Sequence, residues 1–288
     1  MIDLSRSTEY ESREEWLEAR RLGIGGSDAP AILKQSPWAS PWSVWAEKRG
    51  LLNSRKNDDQ RLIIGQLMEP VIAKLFELET GAQTECLGQF RIFTGDEPFQ
   101  KATLDRVDEN KTIVELKTEY YQHKWKDGPP LHYQIQGQHQ MAVMGQDRMF
   151  FAVFFSGFQF AAFEIERNDR FIKSMTKAES AFWEAVQQDE APEIDGSEAT
   201  KSALQDWGAD KGTQIELPAD ELLALDQLRQ QAAKEVAAAE SRMNQAENRI
   251  KALMGANEIA LLNGKPAFSW KGDKRGTRRF LRLLKEGK

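Results

Sequence analysis

The segment Thr112–Thr118, TIVELKT, constrains this chain more than any other stretch. Side chains alternate across a strand, so Val114 and Leu116 face a core while Glu115 and Lys117 share the opposite face. An acid and a base two residues apart inside an apolar strand need a reason to be there. Glu-x-Lys also occurs at Glu109–Lys111 and Glu286–Lys288. Only Glu115–Lys117 lies in an apolar strand with an aspartate at the end of the strand before it. If Gln100–Asp105 pairs antiparallel with this strand, through a turn at Asp108, Glu109 and Asn110, Asp105 meets the same face.

The flanking pattern sets the architecture. Ser12 followed by Glu15 is a capping box opening a helix through Trp16 and Ala19. A glycine turn (Gly23, Gly25, Gly26) runs into Ser27, read as the N-cap of the next helix. A helix spans about Pro41 to Gly50. A second follows with Leu67, Val71, Leu75 and Leu78 as its stripe, and Pro70 should kink or delimit it. Strands are expected at Gln89–Thr94, Gln100–Asp105 and Thr112–Thr118, then a helix from about Leu131 to Met144. Arg148–Phe155 and Gln159–Glu166 read as two more strands around Ser156-Gly157. A helix capped by Asn168 or Asp169 carries Phe171, Met175, Phe182 and Val186. Helices, three strands, a helix and further strands indicate an α/β or α+β domain over residues 1–192.

Residues 193–217 are polar and read as a connector, leaving 218–288 as a C-terminal part. There Leu225, Leu228, Ala232, Val236, Ala239, Met243, Ala246, Ile250 and Leu253 advance by threes and fours. That is a coiled-coil-like seam on a long helix closed by Gly255, and it equally fits a helix packed on the body. Asn263-Gly264 marks a hairpin with a type I′ turn.

Composition excludes several classes. Cys86 is the only cysteine, which rules out an internal disulfide, a four-cysteine zinc site and a cysteine-ligated iron–sulfur cluster. His123, His132 and His139 do not form a zinc set, and no Walker A loop is present. No apolar run has the length of a membrane span, and the N-terminus lacks the regions of a secretory signal. A cytoplasmic protein is expected. The net charge of −6 argues against nucleic acid on its face, but residues 271–288 hold eight Lys or Arg against two acids. An acidic body still binds phosphate when its carboxylates hold metal and its bases line one groove.

Two carboxylates beside an ammonium suit metal-assisted phosphodiester hydrolysis: the carboxylates take hard divalent cations and the lysine orients or activates a water. Glu69, on the helix before the strands, is placed to reach the same metals. Tyr133, Gln136 and Gln140, three and four residues apart, share a helix face, where neutral amides hold phosphate or water without competing for cations. Each of these residues also fits an ordinary polar surface.

Taken in order, Trp16…Arg20…Gly23-Ile24-Gly25-Gly26-Ser27-Asp28, Gly65…Glu69, Leu104-Asp105…Glu115-Leu116-Lys117 and Tyr133…Gln136-Gly137-Gln138-His139-Gln140-Met141 resemble the PD-(D/E)XK nuclease superfamily. The closer resemblance is to its YqaJ-type viral recombinase, or lambda-exonuclease-like, family, over about residues 13–166. It implies a restriction-endonuclease-like core with a mixed central sheet flanked by helices, here extended by the long helix and hairpin. It implies Mg²⁺, with Mn²⁺ as an alternative and two ions per site, held by Asp105, Glu115, the Leu116 carbonyl and Glu69. Lys117 is then the water-activating base or positioner, Gln136 a supporting polar group, and Arg20 and Ser27 the 5′-phosphate pocket. A glycine turn feeding a helix N-terminus beside an arginine agrees with that pocket.

The implied activity is a 5′→3′ exonuclease on double-stranded DNA ends, leaving a 3′ single strand for phage-type recombination. A ring-like homo-oligomer (trimer favoured), a single-strand annealing protein as partner and a phage or prophage setting in a bacterium are implied with it. A structure-specific or nicking endonuclease on the same core, or a non-catalytic DNA-binding adaptor, are the rivals. Gly137 stands where an apolar residue is expected and should loosen its helix. The region after residue 193 has no counterpart in the minimal enzyme. Arg275, Arg278, Arg279 and Arg282 are the expected DNA contacts of the tail.

Overall fold

A computed structural model describes residues 3–52, 60–207, 212–272 and 279–283. The chain divides into two compact units, Met1–Ala209 and Asp210–Lys288, so the division falls inside the stretch read as a connector. The first unit runs β1 (Ser7–Glu9), α1 (Arg13–Arg21), α2 (Ala29–Ile32), α3 (Pro41–Lys48), α4 (Gln60–Thr80), β2 (Thr84–Glu85), β3 (Arg91–Thr94) and β4 (Lys101–Ala102). It continues with β5 (Arg106–Asp108), β6 (Ile113–Glu119), α5 (Leu131–Met144), β7 (Arg148–Phe155), β8 (Gln159–Glu166), α6 (Asp169–Gln187) and α7 (Glu198–Asp206).

The central sheet has the order β2-β5-β6-β7-β8, and β6–β7 is its one parallel pair. A parallel neighbour needs a crossover, and α5 supplies it. The two faces of the sheet are covered by different helices. Ile72, Ala73 and Phe76 of α4 pack on Val114, Leu116 and Ala152. On the other face Tyr133, Met141 and Val143 of α5 pack with Ile113, Met149, Phe151, Val153 and Phe155. Each such large side chain contributes about 1.5–3 kcal/mol on burial. The alternation in β6 therefore turns Glu115 and Lys117 toward the α5 layer.

Several expectations are corrected. The stripe of α4 is not Leu67, Val71 and Leu78, which are 71%, 47% and 71% exposed. The helix carries apolar residues on more than one face, and spacing alone cannot say which of them the sheet takes. Pro70 neither ends nor divides α4. Gln100–Asp105 is not one strand: β4 pairs with β3 in a separate sheet of order β1-β3-β4, while β5 begins only after Asp105. Ser27 is not an N-cap. Asp28 holds that position, and its carboxylate accepts the Gly25 N–H at 2.8 Å instead of capping the one-turn α2. Polar residues 198–206 form α7, which packs on α3.

Gly137 does not loosen α5. A Cβ there would lie 2.6 Å from Ile165 Cδ1, 2.7 Å from Met149 Sδ and 3.2 Å from Phe151 Cε2. Its missing side chain lets α5 sit close on β7 and β8.

The second unit holds α8 (Ala219–Met254) and an antiparallel sheet of β9 (Ile259–Leu262), β10 (Lys265–Gly272) and β11 (Arg279–Leu283), in the order β11-β10-β9. Asn263 and Gly264, at φ 49° and 78°, make the expected turn. A third strand, β11, extends the hairpin. The α8 seam is exposed, with Leu228 at 67% and Leu253 at 87%, and Met254 is the buried residue of the helix.

Candidate active site

Register builds the site. Arg106 pairs with Val114 and Val107 with Ile113, so the antiparallel ladder continued by one residue sets Asp105 opposite Glu115. Asp105 Oδ2 accepts the Leu116 N–H at 2.8 Å. Glu115, 4% exposed, is held from three sides. Its Oε1 accepts from Lys117 Nζ at 2.6 Å and Gln136 Nε2 at 2.5 Å, and its Oε2 from Gln140 Nε2 at 2.7 Å. The period-2 face of β6 and the i, i+4 face of α5 thus meet on one carboxylate, which is what the two sequence patterns anticipated separately. Tyr133 lies under Lys117, its ring centroid 5.2 Å from Nζ, and its hydroxyl donates to Glu119 at 3.0 Å.

Electrostatics mark the pair as crowded. Asp105 is pushed up to about 8, first by burial and then by the Glu115 charge, against the pull of Lys117 and the Leu116 N–H. Burial alone would lower Lys117, but Glu115 and Asp105 outweigh it and raise the ammonium. Glu69, half-buried on α4, is raised by burial and by Glu115, with Arg106 and Lys117 opposing. It lies within electrostatic reach of the pair and makes no hydrogen bond to it among the described residues.

No group of three His, Cys, Asp or Glu side chains among the described residues forms a ready-made metal cage. The donor chemistry nevertheless suits a hard cation. Two neighbouring carboxylates, Glu115 buried and Asp105 partly so, repel each other, and Gln140 Oε1 is buried without a hydrogen-bond partner.

A cavity of about 170 Å³ opens from Glu115, Gln136 and Gln140 toward Arg20, Ser27, Lys101 and Thr103. The glycine turn shapes it. Ile24 N–H donates to Phe99 O at 2.7 Å and Lys101 N–H to Ile24 O at 2.8 Å, which stitches the turn to β4. A Cβ on Gly26 would lie 3.3 Å from Cγ of both Gln136 and Gln140, so glycine brings the turn against α5. Arg20 stacks over Trp16 at 4.7 Å and donates to Ser27 Oγ at 3.3 Å. Beneath them Lys48 pairs with buried Asp28 at 2.6 Å and donates to Arg20 O.

Sequence reasoning missed Lys101. Its Nζ donates to Thr94 Oγ1 at 3.0 Å, burial lowers its pKa, and neither it nor Arg20 forms an ion pair among the described residues. Two cations without acids at one end of a cavity attract an anion. No local pattern marks it, because 100–105 is not a continuous strand. The one-turn α2 is too short to supply the helix-end field expected of it, so the cavity's positive character comes from side chains. In the second unit Arg279 and Arg282 lie on β11, while Arg275 and Arg278 fall outside the described residues.

Fold and site together define a mixed-sheet α/β protein built around an acid pair, Asp105 and Glu115, and a lysine. Residues 15–147 match the model of the YqaJ-like viral recombinase domain. The uncharacterized protein YqaJ of Bacillus subtilis (strain 168) is 36% identical over 210 residues, which cover 70% of this chain and 65% of that relative's length. The alkaline exonuclease LHK-Exo from Laribacter hongkongensis shares the fold, with a TM-score of 0.52 at 21% identity over 62% of this chain and 94% of that one. LHK-Exo in complex with dAMP gives the same TM-score at 20% identity. Among the described residues no helix is long and apolar enough to cross a membrane.

Proposed function

We propose that this chain is a divalent-metal-dependent 5′→3′ exonuclease on double-stranded DNA ends, leaving 3′ single strands for recombination. One observation carries the reading: Glu115, bound to Lys117 and opposite Asp105, lines the same cavity as Arg20 and Lys101. A phosphate seated by the two cations would put the next phosphodiester near the acids. LHK-Exo, which shares the fold, is an alkaline exonuclease and has been seen with dAMP, a nucleoside monophosphate of the kind such a reaction releases.

Asp105 and Glu115 would hold Mg²⁺, or Mn²⁺ in its place, with the Leu116 carbonyl and Glu69 completing the sites of two ions. Bound there, the cations would polarise the scissile phosphate and supply hydroxide from water. The chain's own residues do the rest. Lys117, tied to Glu115 at 2.6 Å, acts as an ammonium that orients water and not as a free base. Gln136 and Gln140 hold Glu115 in one rotamer, and Arg20, Ser27 and Lys101 grip the 5′-phosphate. A trimeric ring and an annealing partner follow as proposals from the family. End-labelled linear duplex should be shortened from its 5′ ends with Mg²⁺ and remain intact in EDTA. Equal attack on nicked circular duplex would instead favour an endonuclease.

A further inference from the structure

Beside the acid cluster lies a surface that the proposed chemistry does not use. Trp38 is 57% exposed, Tyr120 71% and Tyr121 49%. Aromatic rings usually bury their faces, and these three, each exposed on a short loop, forgo that gain. They are nonetheless held in place. Ser36 Oγ accepts N–H bonds from Trp38 and Ala39, both at 3.2 Å, so the turn presenting the indole is pinned. The indole meets His132 nearly edge-on at 4.8 Å and Tyr133 at 5.8 Å. Tyr133 in turn carries Lys117 over its ring. The exposed indole is therefore separated from the catalytic lysine by one aromatic layer.

The tyrosines follow directly on Glu119, whose carboxylate accepts from Tyr133, the ring that Trp38 packs against. Tyr120 and Tyr121 pack edge to face at 4.7 Å, and Lys124 Nζ sits 5.0 Å over the Tyr121 ring. Ser156 Oγ donates to Tyr120 O at 3.0 Å, which fixes the backbone after β6. Burial, Lys117 and Lys124 together push His132 down to about 4, so the imidazole is neutral at physiological pH.

We propose that Trp38, Tyr120 and Tyr121, with Lys124, form a stacking platform for unpaired bases of single-stranded DNA next to the active site. Rings offer π faces to any base, an ammonium over a ring attracts the backbone, and the two together characterise sequence-tolerant single-strand binding. The proposal rests on the nuclease reading for its biological setting, because an end-resecting enzyme must hold an unpaired strand beside its chemistry.

The test uses the full chain in EDTA, so that binding is read without hydrolysis. Affinity for a single-stranded thymine oligonucleotide is measured for wild type, Trp38→Ala, Trp38→Phe and Tyr120→Ala. The alanine variants should each bind roughly 5- to 100-fold more weakly. Trp38→Phe should keep most of the affinity and lose part of the tryptophan fluorescence quenching that binding causes. Tyr120, the most exposed ring, guards against a folding artefact at Trp38. Unchanged single-strand affinity in both alanine variants overturns the platform, and would leave the surface to a protein partner. Failure of the nuclease reading is visible separately, as absence of hydrolysis with Mg²⁺ in a wild type that still binds the oligonucleotide.

Discussion

Lys117 is the residue on which the catalytic reading turns. It is anchored to Glu115 and lies over Tyr133, so removing it should leave the acids in place and take away the group that orients water. Lys117→Ala is expected to lower hydrolysis roughly 10²- to 10⁴-fold while duplex affinity in EDTA survives. Near-wild-type turnover would remove the cluster from the mechanism. The anion end of the cavity is tested by comparing 5′-phosphorylated with 5′-hydroxyl ends. Arg20→Ala and Lys101→Ala should each cut the preference for phosphate by roughly ten- to a hundredfold, the worth of a charge-assisted hydrogen bond. If the Lys101 variant keeps the full preference, that lysine only packs against Thr94. Lys117 was legible in the sequence from strand alternation, and Arg20 from the family resemblance, with which its glycine turn agreed. Lys101 was not, because its role depends on the turn docking on β4 through Ile24.

At the scale of elements, α5 is the part that everything else positions. One face supplies Gln136 and Gln140 to Glu115, Gly137 lets the helix sit close on the sheet, and buried His139 ties it to α6. His139 Nδ1 meets Glu179 at 2.7 Å and its Nε2 meets Lys101 O at 2.9 Å, while Gln100 donates to the other Glu179 oxygen. Burial opposes the charge on both partners. Glu179 nevertheless raises His139 above its ordinary value, and His139 with Gln100 lowers Glu179, while nearby Asp28 favours protonation of both. The raised histidine contributes stability below pH 6.5 that is lost as pH climbs through its folded value. The lowered glutamate contributes above pH 4.5 and loses its share as pH falls through its own folded value. Stability from this pair should therefore peak between those limits and decline on the alkaline side. Glu179→Ala strands a buried imidazole and should cost about 3–5 kcal/mol. Urea melts across pH would show the variant losing the alkaline decline, and a parallel pH profile in the variant would contradict this assignment.

Across the whole molecule, the basic tail is set against an acidic body. If it contacts DNA, neutralising Arg275, Arg278, Arg279 and Arg282 together should weaken duplex binding and reduce its log–log salt slope. The reduction would be about one unit per lost phosphate contact. Cleavage at saturating DNA should persist, because the acid cluster belongs to the first unit. An unchanged slope would leave the second unit to partner docking or to structure. The exposed seam of α8 shows that a three-and-four repeat predicts a helix face but not what covers it.

Local chemistry alone settled a good deal of this protein. Alternation in TIVELKT set which side chains share a face, Asn263-Gly264 made its turn, and Ser12 and Asn168 capped their helices, because each depends on residues within a few positions. Short-range rules also brought Asp105 opposite Glu115 once the strands paired. Only tertiary structure chose the buried face of α4, where apolar residues on several faces gave spacing no way to decide. It alone turned Gly137 from a weak point into a contact, ended the 100–105 strand at Ala102 in a separate sheet, and joined Lys101, His139 and Glu179 across long sequence separations. Those outcomes are set by which surfaces meet, and a linear pattern carries the surfaces but not their pairing.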